Sequence, residues 1–133
     1  MTVKGVFLDR DTLGQDIDLS ALYNLPVDWT MYSFTQDSET LARCVDADIV
    51  ISNKVQLTAQ IIAQLPKLRH IAVAATGTNN IDKDAAKNAG VSVSNVVDYA
   101  GSSVAQLEFA LMLEMANGAK AGRFVYWIIP SWN

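Results

Sequence analysis

Five short apolar runs recur about every 22 residues along this chain, and what lies between them limits its possible folds. The runs are Val3–Leu8, Trp29–Phe34, Ile49–Ser52, His70–Ala74 and Val91–Val97. Helical patterns fill the gaps: Leu19, Leu22, Tyr23 and Leu25; then Thr40, Leu41, Cys44 and Val45; then Ile61, Ile62 and Leu65; and a short Ala85, Ala86, Ala89 set. A strand that reaches its neighbour through a helix must pair with it in parallel, by a right-handed crossover. The third and fourth runs are almost continuously apolar, as strands covered on both faces are.

The punctuation agrees with this alternation. Pro26 and Asp28 introduce the second strand, Pro66 closes the third helix, Thr58 is placed to cap that helix, and Gly90 follows the fourth helix at a left-handed C-cap position. The spacing therefore predicts an α/β fold: a flavodoxin-like, doubly wound parallel sheet of about five strands in the order 2-1-3-4-5. A mixed α+β sheet is the alternative. In a doubly wound sheet ligands collect beyond the carboxyl ends of the strands. That rule puts Asp9-Arg10-Asp11, Asn53-Lys54-Val55, Ala75-Thr76-Gly77 and Asp98-Tyr99 on one edge.

At 133 residues, half of them apolar and 18% charged, the chain is one folded domain by size and composition. A net charge of -4 offers no footprint for nucleic acid and no attraction to an acidic membrane surface. No stretch is long enough to span a bilayer, and the amino terminus lacks the apolar core of a signal peptide. A cytoplasmic protein is the expectation. Cys44 is alone, so no internal disulfide can form, and it reads as a small buried hydrophobe. With one His and one Cys, far apart, no zinc cluster and no catalytic triad are expected. His70 opens the fourth strand at the edge opposite the ligand loops, so a structural role is expected for it.

Three loops could carry chemistry. In Ala75-Thr76-Gly77-Thr78, Gly77 lets the backbone approach a ligand, and successive N–H groups there would form a small anion-binding concavity. The plainer reading is that Gly77 only makes the turn. In Asn53-Lys54-Val55, Lys54 brings positive charge to the same edge and the adjacent N–H groups can reach an anion. Asp9 and Asp11 could hold a metal, as in response-regulator receivers. That reading also needs an acid after strand three, where Asn53 stands, and a lysine after strand five, where none occurs. A flavin phosphate is disfavoured by the same two acids.

Beyond the last strand, residues 102–117 form an apolar helical pattern with few polar breaks, and the tail Phe124–Asn133 is dense in aromatics. A helix apolar on most faces calls for burial on several of them, in this domain's core or in an interface.

The stretch Thr76-Gly77-Thr78-Asn79-Asn80-Ile81-Asp82, with Ser103-Val104-Ala105-Gln106-Leu107-Glu108 and the apolar turns that follow, resembles the NAD-dependent D-2-hydroxyacid dehydrogenases, the glycerate dehydrogenase (hydroxypyruvate reductase) branch above all. The resemblance covers roughly residues 1–123. It implies a substrate (catalytic) domain at 1–101 and an interdomain and dimer helix at 102–117; the apolar tail at 118–133 is atypical of the family. It implies substrate contacts from Lys54, Val55, Ala75, Thr76 and Gly77, and a cofactor-facing position for Ser103 and Val104. The chain carries no Gly-x-Gly-x-x-Gly. The family's catalytic Arg, Glu and His belong to its cofactor domain, and Arg69, Arg123 and His70 do not match them. The expectation is a domain without catalytic residues, metal or cofactor of its own, NAD belonging to the full-length family. Such a domain would bind a small 2-hydroxy or 2-keto carboxylate weakly at most and be inactive by itself. It would pair as a homodimer through helix 102–117 and the tail. A stand-alone carboxylate-binding module and a dimeric scaffold are the alternatives.

Overall fold

The computed structural model describes residues 2–14, 18–75, 77–96 and 127–129. They form a parallel sheet of six strands, β1 (Val3–Phe7), β2 (Val27–Met31), β3 (Ile49–Ser52), β4 (His70–Val73), β5 (Ser92–Val96) and β6 (Trp127–Ile129), in the order β2-β1-β3-β4-β5-β6. The first five strands have the order 2-1-3-4-5 expected from the sequence. The sixth was not expected: Trp127, Ile128 and Ile129 lie beside Ser94, Asn95 and Val96 in parallel register. This part of the tail is therefore sheet.

Alternation along each strand divides the core into two layers. Val6, Leu8, Val50, Ile71, Val73 and Val93 point to one face. There they meet Cys44 of α2 (Asp37–Cys44), Ile62 of α3 (Ala59–Ile62) and Ala86 of α4 (Lys83–Asn88). Phe7, Ile49, Ile51 and Ala72 point to the other, against Leu19 and Leu22 beside and within α1 (Ser20–Tyr23). β3 and β4 are buried at every position, which is why they read as unbroken apolar runs.

The helix ends follow local chemistry. Thr58 caps α3 by accepting from the N–H of Ile61, and Asp82 caps α4 by accepting from the N–H of Ala85. Gly90, at φ 76°, takes the left-handed turn that lets Val91 enter β5. α3 is shorter than the sequence suggests. The N–H groups of Gln64 and Leu65 donate to Ile61 and Ile62, a tightening turn, and Pro66 bars further helix. β2 begins two residues before its predicted start, because Val27 already pairs with Val3 directly after Pro26.

Residues 102–117, including Ser103 and Val104, lie outside the described residues, as do Thr76 and Asp98-Tyr99. Among the described residues no helix is long and apolar enough to cross a membrane.

Candidate functional site

The carboxyl ends of β1, β3 and β4 are bound to one another through side chains. The chain leaves β1 at Asp9, which is 2% exposed. Its carboxylate accepts from three consecutive backbone N–H groups of the loop after β3: Oδ1 from Asn53 at 2.9 Å, Oδ2 from Lys54 at 2.6 Å and from Val55 at 3.2 Å. Hydrogen bonds of this kind, with one ionised partner, are worth about 1.5–3 kcal/mol each. Thr12 closes the arrangement: its hydroxyl donates to the Asp9 carbonyl at 2.6 Å and accepts from the Asn53 side chain at 2.9 Å.

The loop after β3 is tied in turn to the loop after β4. Asn80 donates through Nδ2 to the Val55 carbonyl at 3.0 Å, and the Ser52 hydroxyl donates to the same carbonyl at 2.8 Å. Leu57 and Ile81 form a short parallel bridge. On the other side, the N–H of Arg10 donates to Tyr32 and Thr35 donates to the Leu8 carbonyl, joining the β1 and β2 exits. The edge is thus a set of mutually braced loops.

Within it the expected site residues take different places. Lys54 points to solvent. Val55 turns inward: its side chain is in the core, its N–H is held by Asp9 and its carbonyl by Ser52 and Asn80. Ala75 is half-buried, and Gly77 is exposed at the rim. A Cβ built on Gly77 meets no atom within 4 Å, and Gly77 does not need positive φ. Among the described residues, neither steric crowding nor backbone conformation accounts for a glycine there. Open space over a backbone without a side chain is what a close-approaching ligand uses.

One expectation is corrected. The N–H groups of Asn53, Lys54 and Val55 are not open to an external anion, because the Asp9 carboxylate already holds them. Asp9 and Asp11 do not form a metal pair either. Both Asp9 oxygens face N–H donors and Asp11 is exposed, and among the described residues no group of three or more potential ligands gathers. The role of Asp9 was missed in the sequence. The available signal was a carboxylate directly after the buried run Val6-Phe7-Leu8, which has to be satisfied by something.

His70 is structural, as expected. It is 1% exposed; Nδ1 lies 2.8 Å from the Ser92 hydroxyl and Nε2 2.9 Å from that of Ser94. Ser92 donates its hydroxyl proton to the Arg69 carbonyl, so it accepts from Nδ1–H, and Nε2 accepts from Ser94. Burial pushes the imidazole pKa down to about 4, only partly opposed by the Ser92 contact. At the amino-terminal end of the sheet an open groove of about 670 Å³ runs past Lys4, Asp48 and Arg69. Four of its charges are paired with one another, Arg69 with Asp48 at 3.7 Å and Lys67 with Asp46 at 3.3 Å.

Residues 11–120 match the family described as D-isomer specific 2-hydroxyacid dehydrogenase, catalytic domain. The chain belongs to that family. It is 40% identical over 116 residues to a glycerate dehydrogenase of Methylorubrum extorquens, covering 86% of this chain and 36% of the relative. It is 38% identical over 85 residues to a hydroxypyruvate reductase of Blautia hydrogenotrophica, covering 64% of this chain and 26% of the relative. The pyruvate reductase structure from Chlamydomonas reinhardtii superposes with a TM-score of 0.62 at 17% identity, over 99% of this chain and 42% of that one, which shows the shared fold. The chain thus spans about a third or less of the length of these relatives, 36% and 26%.

A nicotinamide dinucleotide does not fit the residues present. A dinucleotide-binding family member holds the pyrophosphate on a glycine-rich turn at a helix N-terminus. None of the seven glycines here forms that motif, and the β1 exit carries Asp9 and Asp11 where phosphate charge would be repelled.

Proposed function

We propose that this chain is the substrate-binding side of a D-2-hydroxyacid oxidoreductase of the glycerate/hydroxypyruvate type. In this reading the acid's carboxylate lies against the backbone at Ala75–Gly77, with Thr76 between them, and the Lys54 ammonium on the neighbouring loop balances its charge. The 2-keto or 2-hydroxy carbon then projects away from the sheet edge. These residues bind and orient; they supply no hydride, and the chain alone does not turn over. Ser103 and Val104 would face the cofactor held elsewhere in the full-length enzyme. The observation that carries the reading is the 40% identity to a glycerate dehydrogenase across 86% of the chain, and the open rim at Gly77 agrees with it.

Calorimetry tests this with hydroxypyruvate and glycerate against dihydroxyacetone, which has the same carbon skeleton without the carboxylate. The expected result is weak binding of the two acids and none of dihydroxyacetone, with no consumption of NADH in the presence of hydroxypyruvate. Equal binding of dihydroxyacetone, or steady turnover by the chain alone, would contradict it.

The same reading includes a homodimer through residues 102–117 and the tail. The support is their composition: Leu107, Phe109, Leu111, Met112 and Leu113 in the one, Phe124, Tyr126 and Trp132 in the other. Apolar surface in that quantity favours association.

A further inference from the structure

The carboxylate of Asp9 is buried, yet among the described residues no cation holds it. Its partners are three successive backbone N–H groups that lie 44 to 46 residues further along the chain. Successive N–H groups converging on one point form a concavity that binds anions, whichever anion is supplied. Here the anion comes from the protein itself. An ionised carboxylate has about four lone-pair sites, and three of them are taken by this loop.

From this we infer that Asp9 is a built-in anion: it fills a backbone anion nest at Asn53–Val55, positions Lys54 through it, and leaves an external carboxylate to the exposed rim at Gly77. The inference rests on the substrate site proposed above. Its physical content is competition. Three N–H donors left open on this edge of the sheet would draw a small carboxylate to themselves. Filled from inside, they add no attraction for the substrate, and they hold the loop at a fixed height above the β1 exit. Lys54 sits at the centre of that triad: its N–H makes the shortest of the three bonds, at 2.6 Å, while its side chain remains in solvent. Among the described residues its ammonium makes no ion pair, so its charge is available. Asp9 is thus a positioning residue, acting on the substrate through Lys54.

The test uses the full 133-residue chain, ¹⁵N-labelled, with sodium formate and hydroxypyruvate as probes. In the wild type, formate should leave the amides of residues 53–55 unmoved, since the nest is full. In Asp9→Gly, which empties it, hydroxypyruvate should itself shift the 53–55 amides, and its affinity for the Gly77 rim, read from the Gly77 amide alone, should fall about tenfold, the equivalent of one good hydrogen bond to charge. Formate should then shift those three amides back toward their wild-type positions and restore the affinity. Asp9→Asn fills the space without the charge. It should keep a dispersed spectrum, lose the downfield positions of the three amides, bind hydroxypyruvate about tenfold more weakly, and gain nothing from formate.

A purely structural Asp9 would give a different pattern, with formate restoring thermal stability while hydroxypyruvate affinity never changed. That result, or unmoved 53–55 amides in Asp9→Gly with formate, overturns the inference. If Asp9→Gly does not fold, Asp9→Asn decides: unchanged affinity overturns, a tenfold loss in a folded protein supports. If the wild type binds no hydroxypyruvate, the proposed function fails. The nest is then judged by the formate shifts alone.

Discussion

The indole of Trp29 lies across Gly5, its register partner on the adjacent strand. A Cβ built on Gly5 would fall inside contact distance of three ring atoms. The ring is held in place from its far side, because Nε1 donates to the Leu22 carbonyl at 3.1 Å. It therefore cannot swing away without breaking that bond. Gly5→Ala should destabilise the fold by about 1–3 kcal/mol, the usual range for overpacking, and shift tryptophan emission toward the solvent-exposed value. Urea denaturation followed by fluorescence checks it. An unchanged midpoint would mean that the ring has another resting place.

His70 makes the fold sensitive to mild acid. Its folded pKa, lowered to about 4, lies below the unfolded value of 6.5. As pH falls the unfolded chain takes up the proton first, so this contribution to stability is whole above 6.5 and is lost between 6.5 and 4. The loss should reach about 2 kcal/mol by pH 5. His70→Gln should be less stable at neutral pH and should lack that slope. Parallel slopes for the two proteins between pH 7 and pH 5 would contradict the assignment.

Cys44 should resist thiol reagents in the native state. It is fully buried at the end of α2, and desolvation pushes its pKa up to about 12. The reactive thiolate is therefore scarce at pH 8. Reaction with a disulfide reagent should be at least a hundredfold slower in buffer than in 6 M urea, a ratio set by the rarity of opening. Rapid native labelling would place the thiol at the surface.

Legibility differed from element to element. β3 could be read residue by residue because a run buried on both faces, Ile49–Ser52, stands between Asp48 and Asn53. β2 could not, because an edge strand with alternate exposed positions gives a weak signal; Asp28 and Thr30 face solvent within it. The tail reads as apolar surface seeking cover, and the structure makes Trp127–Ile129 a strand beside β5. Pairing between residues so far apart leaves no periodicity to find. At the candidate site, the placing of Lys54 and Gly77 on exposed loops was legible from the strand pattern. The Asp9 triad was not, since its donors are backbone N–H groups, which any residue but proline provides. For the same reason Val55 was expected to meet substrate although both its backbone groups are already occupied.

Association is the next expectation. The wild-type chain should sediment as a dimer at micromolar concentration. Leu111→Glu should give monomer, since a charge is costly in any apolar interface. A wild-type monomer at high micromolar concentration would contradict the proposed dimer.

The most direct test of the account is to map where hydroxypyruvate acts on the ¹⁵N-labelled chain. The account predicts saturating amide shifts at Gly77, Ala75 and Lys54, absent with dihydroxyacetone, while Ser92, Ser94 and His70 stay silent at the far end of β4 and β5. Shifts that centre instead on Lys4, Asp48 and Arg69, along the groove at the amino-terminal edge, would contradict it.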